Sequence, residues 1–196
     1  MATINPLVEG NVDAAIAVKL IAHTGHDAGI VYGRRGIGYI ETKLAGFNRS
    51  AQGIRYLAMV DLMDTAHACA PDVVRVWLPH PAPMMHFRVV VREIESWLLA
   101  DVEGMAEFLN VAPARFAADP ESIRDPKQRL VNITRHSRSR DLRAAIVPDH
   151  GSTAPVGPRY NAEMSRFVLE AWDPERARVR APSLAKCIAR LAEIPA

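Results

Sequence analysis

Cysteine is scarce in this chain. Its two copies among 196 residues, Cys69 and Cys187, lie far apart and form no CxxC pair. That spacing argues against a disulfide scaffold and against a cysteine zinc site, and points to reduced thiols. Long hydrophobic runs are lacking too, since none approaches the ~20 apolar residues a membrane span needs. Residues 1–10 have neither the basic start nor the apolar stretch of a signal peptide. The expectation is a soluble, cytoplasmic, bacterial-looking protein with no membrane partner. An excess of one charge is also missing: 24 Lys and Arg stand against 22 Asp and Glu, a formal +2. So small a balance excludes a polybasic, histone-like protein, but not nucleic-acid binding, which depends on where charge sits. There is no internal repeat and no low-complexity segment. The seven histidines (23, 26, 67, 80, 86, 136, 150) show no HExxH or comparable metal spacing, although His67 lies close to Asp64. Ser137 and Ser139 sit in no recognisable nucleophile motif.

What is present suffices for a normal core, because 49% of the residues are hydrophobic and 23% charged. Residues 4–8 read as a strand ending at Glu9-Gly10. From Asn11 the apolar residues Val12, Ala15, Ile16 and Leu20 recur at helical spacing, and Gly25 stops that helix. Residues 28–32 read as a second strand, a glycine-rich turn covers 33–38, and a short helix follows near 39–45. Residues 54–60 form a buried strand running into Asp61, with a helix near 70–78. Residues 87–91 are a β-branched strand and 92–109 an amphipathic helix, in which Trp97 and Leu98 read as core. Strands alternating with helices imply βαβ units and a mostly parallel sheet of about four strands with helices on both faces.

Beyond about Val111, prolines and arginines become frequent and strand signals fade. Further helices are expected at 161–172 and 183–193. This places an α/β core at 1–110 and a helical, Arg-rich extension packed on it at 111–196. Between Lys127 and Arg143 six basic residues (Lys127, Arg129, Arg135, Arg138, Arg140, Arg143) face one acid, Asp141. Arginine forks suit phosphates, which makes this stretch a candidate backbone-binding surface. A solvated helix, or pairing with the acidic 93–107 segment, accounts for it equally well. Gly33-Arg34-Arg35-Gly36-Ile37-Gly38 is neither GxGxxG nor a Walker sequence, so a tight turn is the first reading. Arg34, Arg35 and Lys43 would still lie near the functional edge of the sheet and could guide a polyanion.

In an open parallel sheet functional groups gather at the carboxyl ends of the strands. Glu9 follows the first strand, Asp61 ends the buried one, Asp64 sits a short turn later, and Glu93 and Glu95 open the helix after the last strand. Convergent carboxylates without matching bases favour a hard cation, Mg²⁺ or Mn²⁺. Helix capping is the competing account of each carboxylate taken singly.

Leu7-Val8-Glu9-Gly10-Asn11-Val12-Asp13 resembles the Glu-Gly-x-x-Asp opening of TOPRIM domains, and the strand from Tyr56 through Asp61 to Asp64 resembles their Asp-x-Asp strand. Glu93-Ile94-Glu95-Ser96-Trp97-Leu98-Leu99-Ala100-Asp101 is close to the Glu-x-Trp-Leu-Leu-x-Asp signature of the TOPRIM-like bacterial family called domain of unknown function 4276. Asp125-Pro126-Lys127 and Val156-Gly157-Pro158-Arg159-Tyr160-Asn161 fit further motifs of that family. The resemblance runs from about residue 4 to about residue 190. It implies a four-stranded parallel core and a Mg²⁺-dependent nuclease cleaving DNA or RNA. Carried over by motif, Glu9 is the general acid/base, Asp61 the principal metal ligand and Glu95 a further one. Lys127 would offset phosphate charge, as basic residues do in the related OLD-type nucleases. Relatives work with an AAA-type ATPase in phage defence, which implies such a partner here.

One departure stands out. The second Asp of Asp-x-Asp falls on Met63, and Asp64 would have to replace it. The competing expectation is therefore a catalytically weakened module that binds nucleic acid or a partner ATPase without cleaving. A nucleotide-handling phosphotransferase, resting on the glycine-rich turn alone, ranks last.

Overall fold

A computed structural model describes residues 1–195. The chain forms two compact units: Met1–Val91 with the residues from Ser183 onward, and Arg92–Pro182. The first unit is α/β and built on a parallel sheet. Its elements are β1 (Thr3–Val8), α1 (Asn11–His23), β2 (Asp27–Ala28), β3 (Tyr32–Gly33), α2 (Ile37–Ser50), β4 (Arg55–Asp61), α3 (Ala70–Trp77) and β5 (Met85–Val90), with a 3₁₀ turn at Leu62–Asp64. The sheet runs β2-β1-β4-β5, β3 also pairs with β1, and every pairing is parallel.

α1 ends where Gly25 takes a left-handed φ of 80°, which lets the His26 N–H reach the Ile21 carbonyl at 3.1 Å. β4 is buried from Tyr56 to Asp61, so both its faces are covered, as its unbroken apolar sequence demands. Tyr56, Ala58 and Val60 point to one face, where they join Ile40 and Leu44 of α2 and Val73 of α3 in one cluster. Leu57 and Met59 point to the other and are equally buried. Right-handed crossovers place α1 on that second face, because the chain runs outward from β1 to β3 and then back past β1 to β4.

The strand expected at 28–32 is two separate two-residue pairings with β1. The cause is Asn5, whose Oδ1 accepts from the Ile30 N–H at 2.8 Å and replaces the backbone ladder there. α2 is longer than expected, beginning directly after the turn at Gly36.

The second unit is helical: α4 (Ile94–Ala100), α5 (Val102–Leu109), α6 (Pro126–Thr134), α7 (Arg140–Ile146), α8 (Tyr160–Glu170) and α9 (Pro174–Arg178). All seven residues of α4 are buried, and it packs on α5, α6 and α9. The single helix expected over 92–109 is broken at Asp101, whose ψ of 76° leaves the helical region and whose carboxylate caps α5 through the Gly104 N–H at 3.1 Å. The compact units thus divide at Arg92, not at residue 110, because α4 is the centre of the helical unit. The chain from Ser183 belongs to the first unit. There α10 (Pro182–Ala192) offers the Leu191 carbonyl to the His26 Nε2 at 3.1 Å. No helix among the described residues is long and apolar enough to cross a membrane.

Candidate active site

The strand order makes the β1–β4 boundary a topological switch point, since the chain leaves β1 in opposite directions toward β3 and β4. In open α/β sheets the crevice beyond the carboxyl ends at such a point is where ligands bind. Glu9 immediately follows β1 and Asp61 closes β4, so the order of strands sets these two carboxylates side by side. The β1–β4 ladder ends at the Leu7–Ala58 pair. Past it, Glu9 Oε1 accepts the Asp61 backbone N–H at 2.8 Å and continues the connection with a side chain. Asp61 is buried and Glu9 half-buried. Asp13, also buried, lies in the first turn of α1, and Gly10 leaves its Oδ2 room to approach.

The other expected residues of this unit lie differently. Asp64 and Met63 are exposed on the 3₁₀ turn, which the Thr65 hydroxyl closes on the Leu62 carbonyl at 2.7 Å. Arg34, Arg35 and Lys43 are exposed, and the Arg35 guanidinium rests 5.5 Å from the centre of the Tyr39 ring. The glycine-rich turn uses its amides internally. Arg34 N–H donates to the Val8 carbonyl at 2.7 Å and Gly36 N–H to the Glu9 carbonyl at 3.0 Å. Those two amides serve the end of β1 instead of a phosphate.

In the second unit Glu93, Glu95 and Lys127 come together. The Lys127 Nζ lies 3.6 Å from an oxygen of each glutamate, and the Lys127 N–H donates to Glu93 Oε2 at 3.1 Å. Tyr160, which sequence reasoning assigned no role, donates its hydroxyl to Glu95 Oε1 at 3.0 Å. Its only sequence signal was its place in the Gly-Pro-Arg-Tyr-Asn motif. Burial pushes the Glu95 carboxyl up to about 7, against the opposing pull of Lys127. Burial likewise holds Tyr160 well above the usual phenol range.

A pH dependence follows. The folded state keeps a proton on Glu95 up to about pH 7, the unfolded chain only to near 4.5. Between those values the folded state binds the extra proton, so stability falls as pH rises through this window and levels above it. The effect is on the order of 3 kcal/mol. Glu95→Gln, which keeps an acceptor for Tyr160 without the charge, is expected to flatten it. Urea midpoints from pH 4.5 to 8 for both proteins check this, and parallel profiles would refute it.

The basic stretch divides by role. Lys127 pairs as above, Arg129 donates to the Arg115 carbonyl and Arg143 to the Ser137 carbonyl. Arg135, Arg138 and Arg140 are exposed. Among the described residues no group of three or more His, Cys, Asp or Glu side chains is arranged to hold a metal ion. Two carboxylates on adjacent strand ends, Glu9 and Asp61, are the donor set that the switch point supplies. Searches of family models, of curated proteins and of solved structures each find nothing that matches this chain.

Proposed function

We propose that the chain is a TOPRIM-like, Mg²⁺- or Mn²⁺-dependent phosphodiesterase acting on DNA or RNA, with its reaction at the β1–β4 switch point. The observation that carries this reading is the Glu9 carboxylate bonded to the Asp61 amide at 2.8 Å, at the strand ends where α/β sheets bind ligands. The donor set fits a magnesium-type ion. Mg²⁺ is held by one or two carboxylates, with water and substrate phosphate oxygens completing its shell, so a third protein ligand is not required. Asp61 would hold it. When bound, the ion supplies charge for a phosphoryl oxygen and a more acidic water.

Glu9 does the proton work in this reading. Its Oε1 accepts the Asp61 amide N–H, which positions the carboxylate that would take or return a proton at the scissile phosphate. Asp61 is the last residue of β4, a strand buried from Tyr56 onward, so it is placed by rigid structure and not by a loop. The exposed Arg135, Arg138 and Arg140 support a nucleic-acid substrate through phosphate contacts, which carry no base sequence information. An AAA-type ATPase partner belongs to the same reading on the family resemblance alone.

Metal-dependent cleavage of plasmid and single-stranded substrates tests the proposal. Activity is expected with Mg²⁺ or Mn²⁺, abolished by EDTA, by Glu9→Gln and by Asp61→Asn. Cleavage that survives both substitutions removes the assignment. The exposed Met63 favours a second reading, a module that binds without cleaving, because the side chain two residues after Asp61 offers no ligand oxygen. Nucleic acid retained on a filter, with no cleavage at any metal concentration, distinguishes that case.

A further inference from the structure

A second feature of the first unit lies at the opposite end of its sheet. A cleft of about 620 Å³ follows the free edge of β5, between the start of β4, α3 and the end of α10. Arg55 opens β4 and Asp61 ends it, six residues on, so the Arg55 end of this cleft is about 20 Å from the carboxylates at the switch point, whereas Arg88, paired with Met59, lies two ladder positions from Asp61. Four basic side chains line it: Arg55, His86, Arg88 and Arg190. The register pairs His86 with Leu57 and Arg88 with Met59, which puts Arg55, His86 and Arg88 on the same face of the sheet.

Positive charge outweighs negative there among the described residues. Glu193 is the one acid in the lining among the described residues, and it pairs with Arg190 at 2.8 Å. Among the described residues neither Arg55 nor Arg88 forms an ion pair, and the Arg88 Nε is buried without a hydrogen-bond partner. Arginine stays charged in such a setting. His86 responds to it: burial, then Arg88, Arg55 and His26, push its imidazole below the usual histidine range. A folded chain that buries the Arg88 Nε without a partner, on the same sheet face as Arg55 and the half-buried His86 imidazole, has built an electrostatic cost that an anion would remove. The rest of the lining is apolar, from Leu78, Met84, Met85, Phe87 and Ile194.

We propose that this cleft binds a small organic phosphate monoester. Arg55 and Arg88 hold the phosphate and the apolar wall holds its organic body. A phosphate monoester carries a charge of about −2 at neutral pH, matching the two unpaired arginines, and its oxygens suit guanidinium forks. The volume is that of a small-molecule site, too small for a folded partner. The site is independent of the switch-point reading, and its occupancy does not depend on cleavage.

Calorimetric titration of the full chain in metal-free buffer tests it, with adenosine 5′-monophosphate, inorganic phosphate and adenosine as separate probes. Sub-millimolar binding of the monophosphate is expected, at least roughly tenfold weaker binding of inorganic phosphate, and no heat from adenosine. Arg55→Ala and Arg88→Met should each weaken the monophosphate at least roughly tenfold. Circular dichroism checks the fold of each variant. If Arg88→Met does not fold, Arg55→Ala decides alone. No binding of the monophosphate overturns the proposal, and so does unchanged affinity in the folded variants. Equal binding of adenosine, or of inorganic phosphate, overturns the assignment to an organic phosphate. Loss of nuclease activity in Glu9→Gln with this binding intact separates the two sites.

Discussion

Asp101→Ala is expected to destabilise the helical unit by about 3 to 4 kcal/mol, the largest loss of any single polar side chain there. The Asp101 side chain is fully buried and serves three backbone or side-chain partners at once. It accepts from the Gly104 N–H that begins α5, from the Asp173 N–H at 2.8 Å, and from Arg176 through Nε at 2.7 Å and Nη2 at 2.8 Å. Breaking a buried ion pair costs about 3–5 kcal/mol, and the half-exposed Arg176, which water can resolvate, moves the figure to the low end. Loss of the cap adds about 1 kcal/mol, and the Asp173 amide left without an acceptor contributes about as much, not additively. Asp101→Asn keeps an acceptor for the cap and should lose roughly half as much. Trp97 and Trp172 lie in this unit, joined by the Trp172 Nε1–H bond to the Trp97 carbonyl at 3.2 Å, and Trp77 lies in the other, so tryptophan fluorescence in urea, measured in a Trp77→Phe background, reports its melting. An Asp101→Ala transition at the wild-type midpoint would show that the bidentate pair is decorative. The signature in which this aspartate ends thus acquires a mechanical meaning: Trp97 and Leu98 are core, and Asp101 ties α5 to α9.

The distinction between mechanical and chemical carboxylates marks how far the sequence could be read. β4 was legible because a strand covered on both faces must be continuously apolar, and Tyr56–Val60 is. Glu9 and Asp61 were legible as strand-end acids, but their adjacency depends on strand order, which no periodicity encodes. The split between β2 and β3 was hidden because one side-chain oxygen of Asn5 decides it. The break at Asp101 was hidden because an acid on a helix surface and an acid capping the next helix have the same spacing. Glu93 and Glu95 read as metal ligands on their own. The structure shows that Lys127 supplies a cation to both and Tyr160 a hydrogen bond to Glu95, from positions 32 or more residues away. The excess of positive charge over 127–143 similarly overstated the free surface, since Lys127, Arg129 and Arg143 turn to partners in their own unit. A guanidinium that bonds a backbone carbonyl leaves no trace in the sequence.

Gly33→Ala is expected to cost about 3 kcal/mol and to displace Glu9, tying the turn that looked like a phosphate cradle to the switch point. Gly33 has a φ of 89°, where an alanine carries a strain of about 1–2 kcal/mol. Its added Cβ would also collide with the carbonyl oxygen of Val8, its register partner on β1. Neither atom belongs to a flexible side chain, so the backbone must move. That same Val8 carbonyl accepts the Arg34 N–H, and the neighbouring Glu9 carbonyl accepts the Gly36 N–H. Relief of the clash therefore shifts the residue whose carboxylate holds the Asp61 amide. Gly38→Ala is the matched control, since nothing lies within 4 Å of its added Cβ and it sits in the first turn of α2. It should be neutral or stabilising by up to about 1 kcal/mol. The Asp61 amide resonance in a ¹⁵N–¹H spectrum reads the displacement without recourse to activity. It should move in Gly33→Ala and stay in place in Gly38→Ala. Equal melting of the two variants with an unmoved Asp61 amide would detach the turn from the site, leaving Glu9 positioned by β1 and β4 alone.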